Sequence, residues 1–109
     1  MTHRRAVVAL AAVTLCVAAV RAQNRFEPEE IELGRDQFHK ICSHCHGFNM
    51  VNSGTTVYDL RRFPVDDPDR FMNSVTNGKG NMPSFKDSLT PEQIKRVWAY
   101  VGSRGGKEP

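Results

Sequence analysis

The sequence predicts an all-α domain with long loops. Three segments repeat apolar residues at helical spacing, each begins or ends on Pro, Gly or a capping residue, and no stretch alternates apolar with polar residues as a half-buried strand would. The first helix is expected over Glu27 to Ile41. Pro28 suits its first turn, Glu29, Glu30 and Glu32 complement the positive end of the helix dipole, and Ile31, Phe38 and Ile41 share a face. It leads directly into Cys42.

From Gly47 to Pro64 the chain is rich in Gly, Asn, Ser and Thr and shows no sustained period, so an irregular loop is expected there. Loops of that length usually wrap something. A second, shorter helix is expected from Asp67, with Pro68 at its first position, Phe71, Met72 and Val75 on one side, and Asn77-Gly78 as its stop. Lys79-Gly80-Asn81-Met82-Pro83 then reads as a turn, since Gly and Pro crowd around a lone methionine.

The last helix carries the strongest local signals. Thr90 is its N-cap, Pro91 its first residue, and Gln93 closes a capping box; Ile94, Val97, Trp98 and Val101 form its apolar stripe, and Gly102 and Gly105 stop it.

The chain has 109 residues, enough for one domain. Its start reads as a targeting segment: Met1 to Arg5 is basic, Ala6 to Val20 is almost wholly apolar, and Val20-Arg21-Ala22 places small residues where a signal peptidase reads. Residues 1–22 are therefore expected to be a signal peptide and 23–109 the folded domain. The apolar run is shorter than the ~20 residues of a membrane-spanning helix, so an uncleaved membrane anchor is the weaker reading; no stable membrane insertion is expected after cleavage, and the periplasm is the expected destination. Cys16 follows the bulky Leu15 inside that run, which argues against lipid attachment.

Cleavage after Ala22 removes Arg4, Arg5 and Arg21 from the 15 basic residues, leaving 12 against 12 acidic ones. The basic balance belongs to the precursor, so nothing in the charge favours nucleic acid as a partner. What remains is a small domain with few large apolar side chains, which needs a disulfide, metal or cofactor as a staple.

Cys42-Ser43-His44-Cys45-His46 has the C-x-x-C-H spacing of covalent c-type haem attachment. Two thiols separated by two residues can each add to one vinyl group, and the adjacent His46 can then reach the iron. Three other readings are weaker. A Cys42–Cys45 disulfide would close a tiny loop and stabilise little; a thioredoxin-like pair should follow a strand; a structural zinc site would need a second cysteine pair.

The sixth iron position has five candidates: Met50, Met72, Met82, His39 and His44. Met82 is favoured, because its turn is irregular and enough chain separates it from His46 to pass round a haem edge. Met72 reads as a core residue of its helix, and Met50 lies too near His46 in sequence. His44 is expected to face solvent, and His39 to be exposed or packed. His/Met ligation suits electron transfer, whereas a vacant sixth position would suit a haem-based ligand sensor or a peroxidase-like enzyme.

These residues resemble the class I c-type cytochrome family over nearly the whole of 23–109. Gly34 and Phe38 with Cys42-x-x-Cys45-His46 resemble its first helix and haem motif. Asn77-Gly78 through Met82-Pro83 resembles its axial-methionine loop, and Val97 to Val101 its last helix. The resemblance implies a cytochrome c-like fold of three main helices around one covalently bound haem c. It also implies a close crossing of the terminal helices, with Gly34 and Phe38 against Val97 and Tyr100.

The family often places Gly-Pro after the haem motif, where a backbone carbonyl orients the ligating histidine. This chain has Gly54-Thr55-Thr56-Val57-Tyr58-Asp59-Leu60 instead, which leaves the partner of His46 undefined. Arg61 and Arg62 offer charge to a haem propionate, with a solvated basic pair as the alternative. Asp59-Leu60-Arg61 and the short length are also similar to periplasmic cytochromes serving quinoprotein alcohol dehydrogenases. The function expected is a monomeric mono-haem electron carrier that catalyses no bond change. It would take electrons from a periplasmic dehydrogenase, such as a quinoprotein, and pass them to a terminal oxidase or another cytochrome.

Overall fold

The structure is a computed structural model that describes residues 8–9, 24–52, 54 and 56–109. The expected signal peptide lies almost entirely outside the described residues. Four α-helices follow in order: α1 over Pro28–Gln37, α2 over Ser43–His46, α3 over Pro68–Asn77 and α4 over Pro91–Gly102. A π-helical turn, Phe38–Cys42, joins α1 to α2 without a break. The first helix thus runs past its expected end at Ile41 to His46. Short 3-10 turns at Phe48–Met50 and Leu60–Arg62 punctuate the loop expected to be irregular, and no strand is named among the described residues.

Helix ends follow the local chemistry. Thr90 accepts from the Gln93 N–H at 3.2 Å while the Gln93 side chain accepts from the Thr90 N–H at 2.9 Å, completing the expected capping box. The Asp67 carboxylate accepts from the Arg70 N–H at 3.2 Å. Gly78, at φ 80°, carries the chain out of α3 in a conformation that a side chain would strain.

Packing centres on the contact between α1 and α4. A Cβ at Gly34 would overlap the Arg96 carbonyl and come within 3.2 Å of the Tyr100 Cβ. Only a glycine lets the two backbones meet at this point. Beside it, Phe38 and Tyr100 are fully buried with ring centroids 5.1 Å apart, a pairing worth about 0.5–1.5 kcal/mol beyond its buried area. The expected close crossing is therefore present, with the Arg96 backbone rather than the Val97 side chain touching Gly34.

A second aromatic group ties α3 to α4: Trp98 lies 5.0 Å from Phe71 and 5.7 Å from Phe63, centroid to centroid. Phe26 packs edge-on against the same indole at 6.2 Å. Gly34→Ala is expected to cost about 3 kcal/mol or more, because the new methyl meets backbone that cannot rotate aside. A denaturant titration of the holoprotein measures it, and an unchanged midpoint would contradict this crossing.

Candidate functional site

The π turn widens the helix by one residue just ahead of the motif. Such turns often occur at functional sites. The Ser43 hydroxyl donates to the His39 carbonyl at 2.6 Å, supplying a partner where the backbone ladder changes register. Downstream, Cys42, Cys45 and His46 line a cavity of about 500 Å³ together with Met82. All four residues singled out from the sequence are brought to one place.

The cavity wall is mainly apolar: Phe38, Ile41, Leu60, Phe71, Val75 and Phe85 contribute to it. Its size falls within the roughly 300–1,000 Å³ of small-molecule and cofactor sites. A flat, largely apolar macrocycle bearing a metal matches this lining and its donors, one imidazole and one thioether. Phe71, Val75 and Phe85 reach the cavity, whereas Trp98 lies behind it against Phe71 and Phe63.

His46 is buried, with Nδ1 3.2 Å from the Tyr58 carbonyl oxygen. A carbonyl only accepts, so Nδ1 carries the proton and Nε2 keeps its lone pair for a metal. Burial pushes the imidazole below its ordinary pKa, against the opposing pull of the Tyr58 carbonyl, so the neutral ligand form is favoured. Tyr58 thus performs the orienting role for which the expected Gly-Pro step is absent. Its carbonyl is held in place from the preceding residue, where the Asn52 amide donates to the Val57 carbonyl at 3.0 Å.

Burial, and the neighbouring Cys45, push the Cys42 thiol up to about 11. A thiol activated for disulfide exchange has the opposite shift. The motif also follows a helix and not the strand that precedes a thioredoxin-like pair.

Met82 sits on a tight turn in which the Lys79 and Met82 N–H groups each donate to the other's carbonyl at 3.0 Å. Gly80, at φ 58°, allows that reversal. Met50 is buried elsewhere, with its Cε near Gly105, and Met72 is half-buried against the core; neither lines the cavity. His44 is exposed. His39 is a strut instead: its ring stacks on Phe48 at 4.3 Å, and its Nε2 accepts from the Asn49 N–H at 3.2 Å. That contact supports Asn49 and Met50, both in left-handed backbone at φ 55° and 64°.

Arg61 is bound to Asp59 through two side-chain hydrogen bonds of 2.9 Å, and neither Arg61 nor Arg62 lines the cavity. The basic residues that do are Arg70 and Lys79. Sequence reading missed them, although Arg70 and Ser74 lie one residue before Phe71 and Val75 and so flank the same helical face.

Residues 29–101 match the family described as "Cytochrome C oxidase, cbb3-type, subunit III". The chain belongs to the class I c-type cytochrome family. Cytochrome c6 of Gloeothece citriformis is 40% identical over 78 residues, covering 68% of this chain and 71% of that protein. Cytochrome c6 of Microcystis aeruginosa is 35% identical over 78 residues, covering 68% of this chain and 96% of the relative. The quinohemoprotein alcohol dehydrogenase ADH IIB of Pseudomonas putida is 36% identical over 80 residues, 71% of this chain. This chain corresponds to only 11% of that dehydrogenase's length, and to 10% of a second one from the same organism, ADH-IIG.

As a c-type cytochrome the protein carries one covalently bound haem c and serves electron transfer. A haem held by Cys42 and Cys45 would fill the apolar cavity beside the small core. Replacing Cys42 and Cys45 together with Ala is therefore expected to leave a largely unfolded chain. Circular dichroism during thermal or denaturant unfolding checks this; a compact, cooperative apo-form would contradict it.

Proposed function

We propose that the mature protein is a periplasmic single-electron carrier whose haem is bound through Cys42 and Cys45, with His46 and Met82 as axial ligands of the iron. The observation that supports this most directly is the convergence of the attachment pair, its histidine and Met82 on one apolar cavity. When bound, the haem supplies an iron that gains or loses one electron. The chain's own residues hold it, orient it and keep water away.

His46 presents Nε2 because Tyr58 occupies the other ring nitrogen. Met82 presents a soft, neutral sulfur from a turn fixed by its own hydrogen bonds. Phe38, Phe71, Val75 and Phe85 remove water from around the metal. A dry site and a thioether ligand both disfavour the extra charge of the ferric state, which raises the reduction potential. The protein itself then catalyses no bond change. Recognition of partners is brief and uses a small surface.

Residues 1–22 support export to the periplasm, since a basic start, an apolar run and a small-residue site are features of a cleaved signal peptide. No helix among the described residues is long and apolar enough to cross a membrane. Likeness to part of two quinohemoprotein alcohol dehydrogenases favours a quinoprotein dehydrogenase as electron donor. A terminal oxidase or another cytochrome completes the path as acceptor.

Met82→Ala is expected to abolish the weak absorption band at the red edge of the oxidised protein's spectrum and to let the reduced protein bind carbon monoxide. Ready carbon monoxide binding by the unmutated reduced protein would instead favour an open-site sensor or peroxidase-like enzyme. Asn52→Leu frees the loop that presents the Tyr58 carbonyl. It is expected to lower stability by about 1 kcal/mol and to raise the midpoint potential, because His46 loses basicity when its Nδ1 proton is less firmly held. Voltammetry and chemical denaturation measure the two effects.

A further inference from the structure

We propose that Arg70, held against the rings of Tyr58 and Phe63, is the ion-pair partner of a haem propionate, with Lys79 as a second cation in the lining of the same cavity. The inference rests on haem occupying the cavity lined by Cys42, Cys45, His46 and Met82. Haem brings two carboxylates on its propionate arms, and those charges need partners wherever they leave water. The cavity lining contains no Asp or Glu, and Arg70 and Lys79 are its Lys and Arg members.

Arg70 is shaped for the role. Its guanidinium carbon lies 5.0 Å from the Phe63 ring centroid and 5.9 Å from that of Tyr58. Contact of this kind holds the guanidinium beside the rings while leaving its N–H donors free for a carboxylate. Arg25 donates to the Val65 and Gly102 carbonyls, Arg35 to Glu32 and the Gly105 carbonyl, and Arg61 to Asp59, while Arg62, also without a side-chain partner among the described residues, lies outside the cavity lining. The Arg70 side chain has no hydrogen-bond or ion-pair partner among the described residues.

One residue, Tyr58, contacts both His46 and Arg70. Tyr58 accepts from His46 with its carbonyl and supports Arg70 with its ring. Arg70 thereby offsets propionate charge that would otherwise stabilise ferric iron, and so acts as a positioning and potential-setting residue.

The test uses holoprotein, with covalent haem confirmed by mass before any other measurement. Absence of haem at that stage would defeat the cofactor reading itself, an outcome distinguishable from failure of the Arg70 assignment. In the reduced, diamagnetic protein, nuclear Overhauser contacts are expected between the Arg70 side-chain Nε–H and propionate methylene protons. Arg70→Gln is expected to lower the midpoint potential several-fold more than Arg62→Gln, a removal of charge outside the cavity. Arg70→Lys should recover part of the shift, since charge returns without the planar fork.

Contacts from Arg61 or Arg62 to the propionates, with none from Arg70, would overturn the assignment. Equal potential shifts in the Arg70→Gln and Arg62→Gln proteins would overturn it too. If Arg70→Gln fails to accumulate as holoprotein, the Overhauser contacts of the unmutated protein and the Arg70→Lys potential decide the matter.

Discussion

At Gly34 the backbone of the first helix rests on the backbone of the last, and the remainder of the molecule is arranged around that contact. Any side chain there would overlap the Arg96 carbonyl, so the helices would separate by the thickness of a methyl group. Their closeness lets Phe38 and Tyr100 bury each other completely one turn further on. It also fixes where the π turn begins, and through it the positions of Cys42, Cys45 and His46. Val97 and Phe38 then face the same cavity from the two sides of the crossing.

What the crossing frames is a small domain that does not close on protein alone. Four aromatic rings, Phe26, Phe63, Phe71 and Trp98, knit α3 and α4 together on one side. On the other, an apolar cavity of about 500 Å³ opens between α2, α3 and the Met82 turn. A chain of this length gains too little from burial to tolerate such a void unfilled. In the proposed site the covalently bound haem would be both redox centre and the missing part of the core, which would couple folding to function in a single contact surface.

Loop structure supplies what the helices cannot. The segment between His46 and α3 carries left-handed residues at Asn49 and Met50, the His39–Phe48 stack, and the Asn52–Val57 hydrogen bond. These local bonds hold Tyr58 so that its carbonyl meets His46. Arg104 adds a tether from beyond α4 by donating to the Leu60 carbonyl at 3.4 Å. The described part of the loop is therefore a built wall of the site, held by His39 of the π turn, His46 of α2 and Arg104 beyond α4.

Sequence alone was enough for the helices, their caps and the attachment motif, because each depends on residues within a few positions of one another. Thr90 with Gln93, Asp67 with Pro68, and Cys42 with Cys45 and His46 are all local patterns of that kind. The irregular turn around Met82 was also legible, since Gly and Pro around a lone methionine exclude helix. The partner of His46 was not, because a backbone carbonyl bears no residue signature and any residue type can supply one. Nor was the choice of Arg70 over Arg61 and Arg62: these arginines look alike in the sequence until Asp59 captures one and the rings of Tyr58 and Phe63 hold another. Tertiary structure supplies the His46 contact and the different surroundings of the arginines, for these depend on which groups converge in space from distant segments, and no local pattern encodes that meeting.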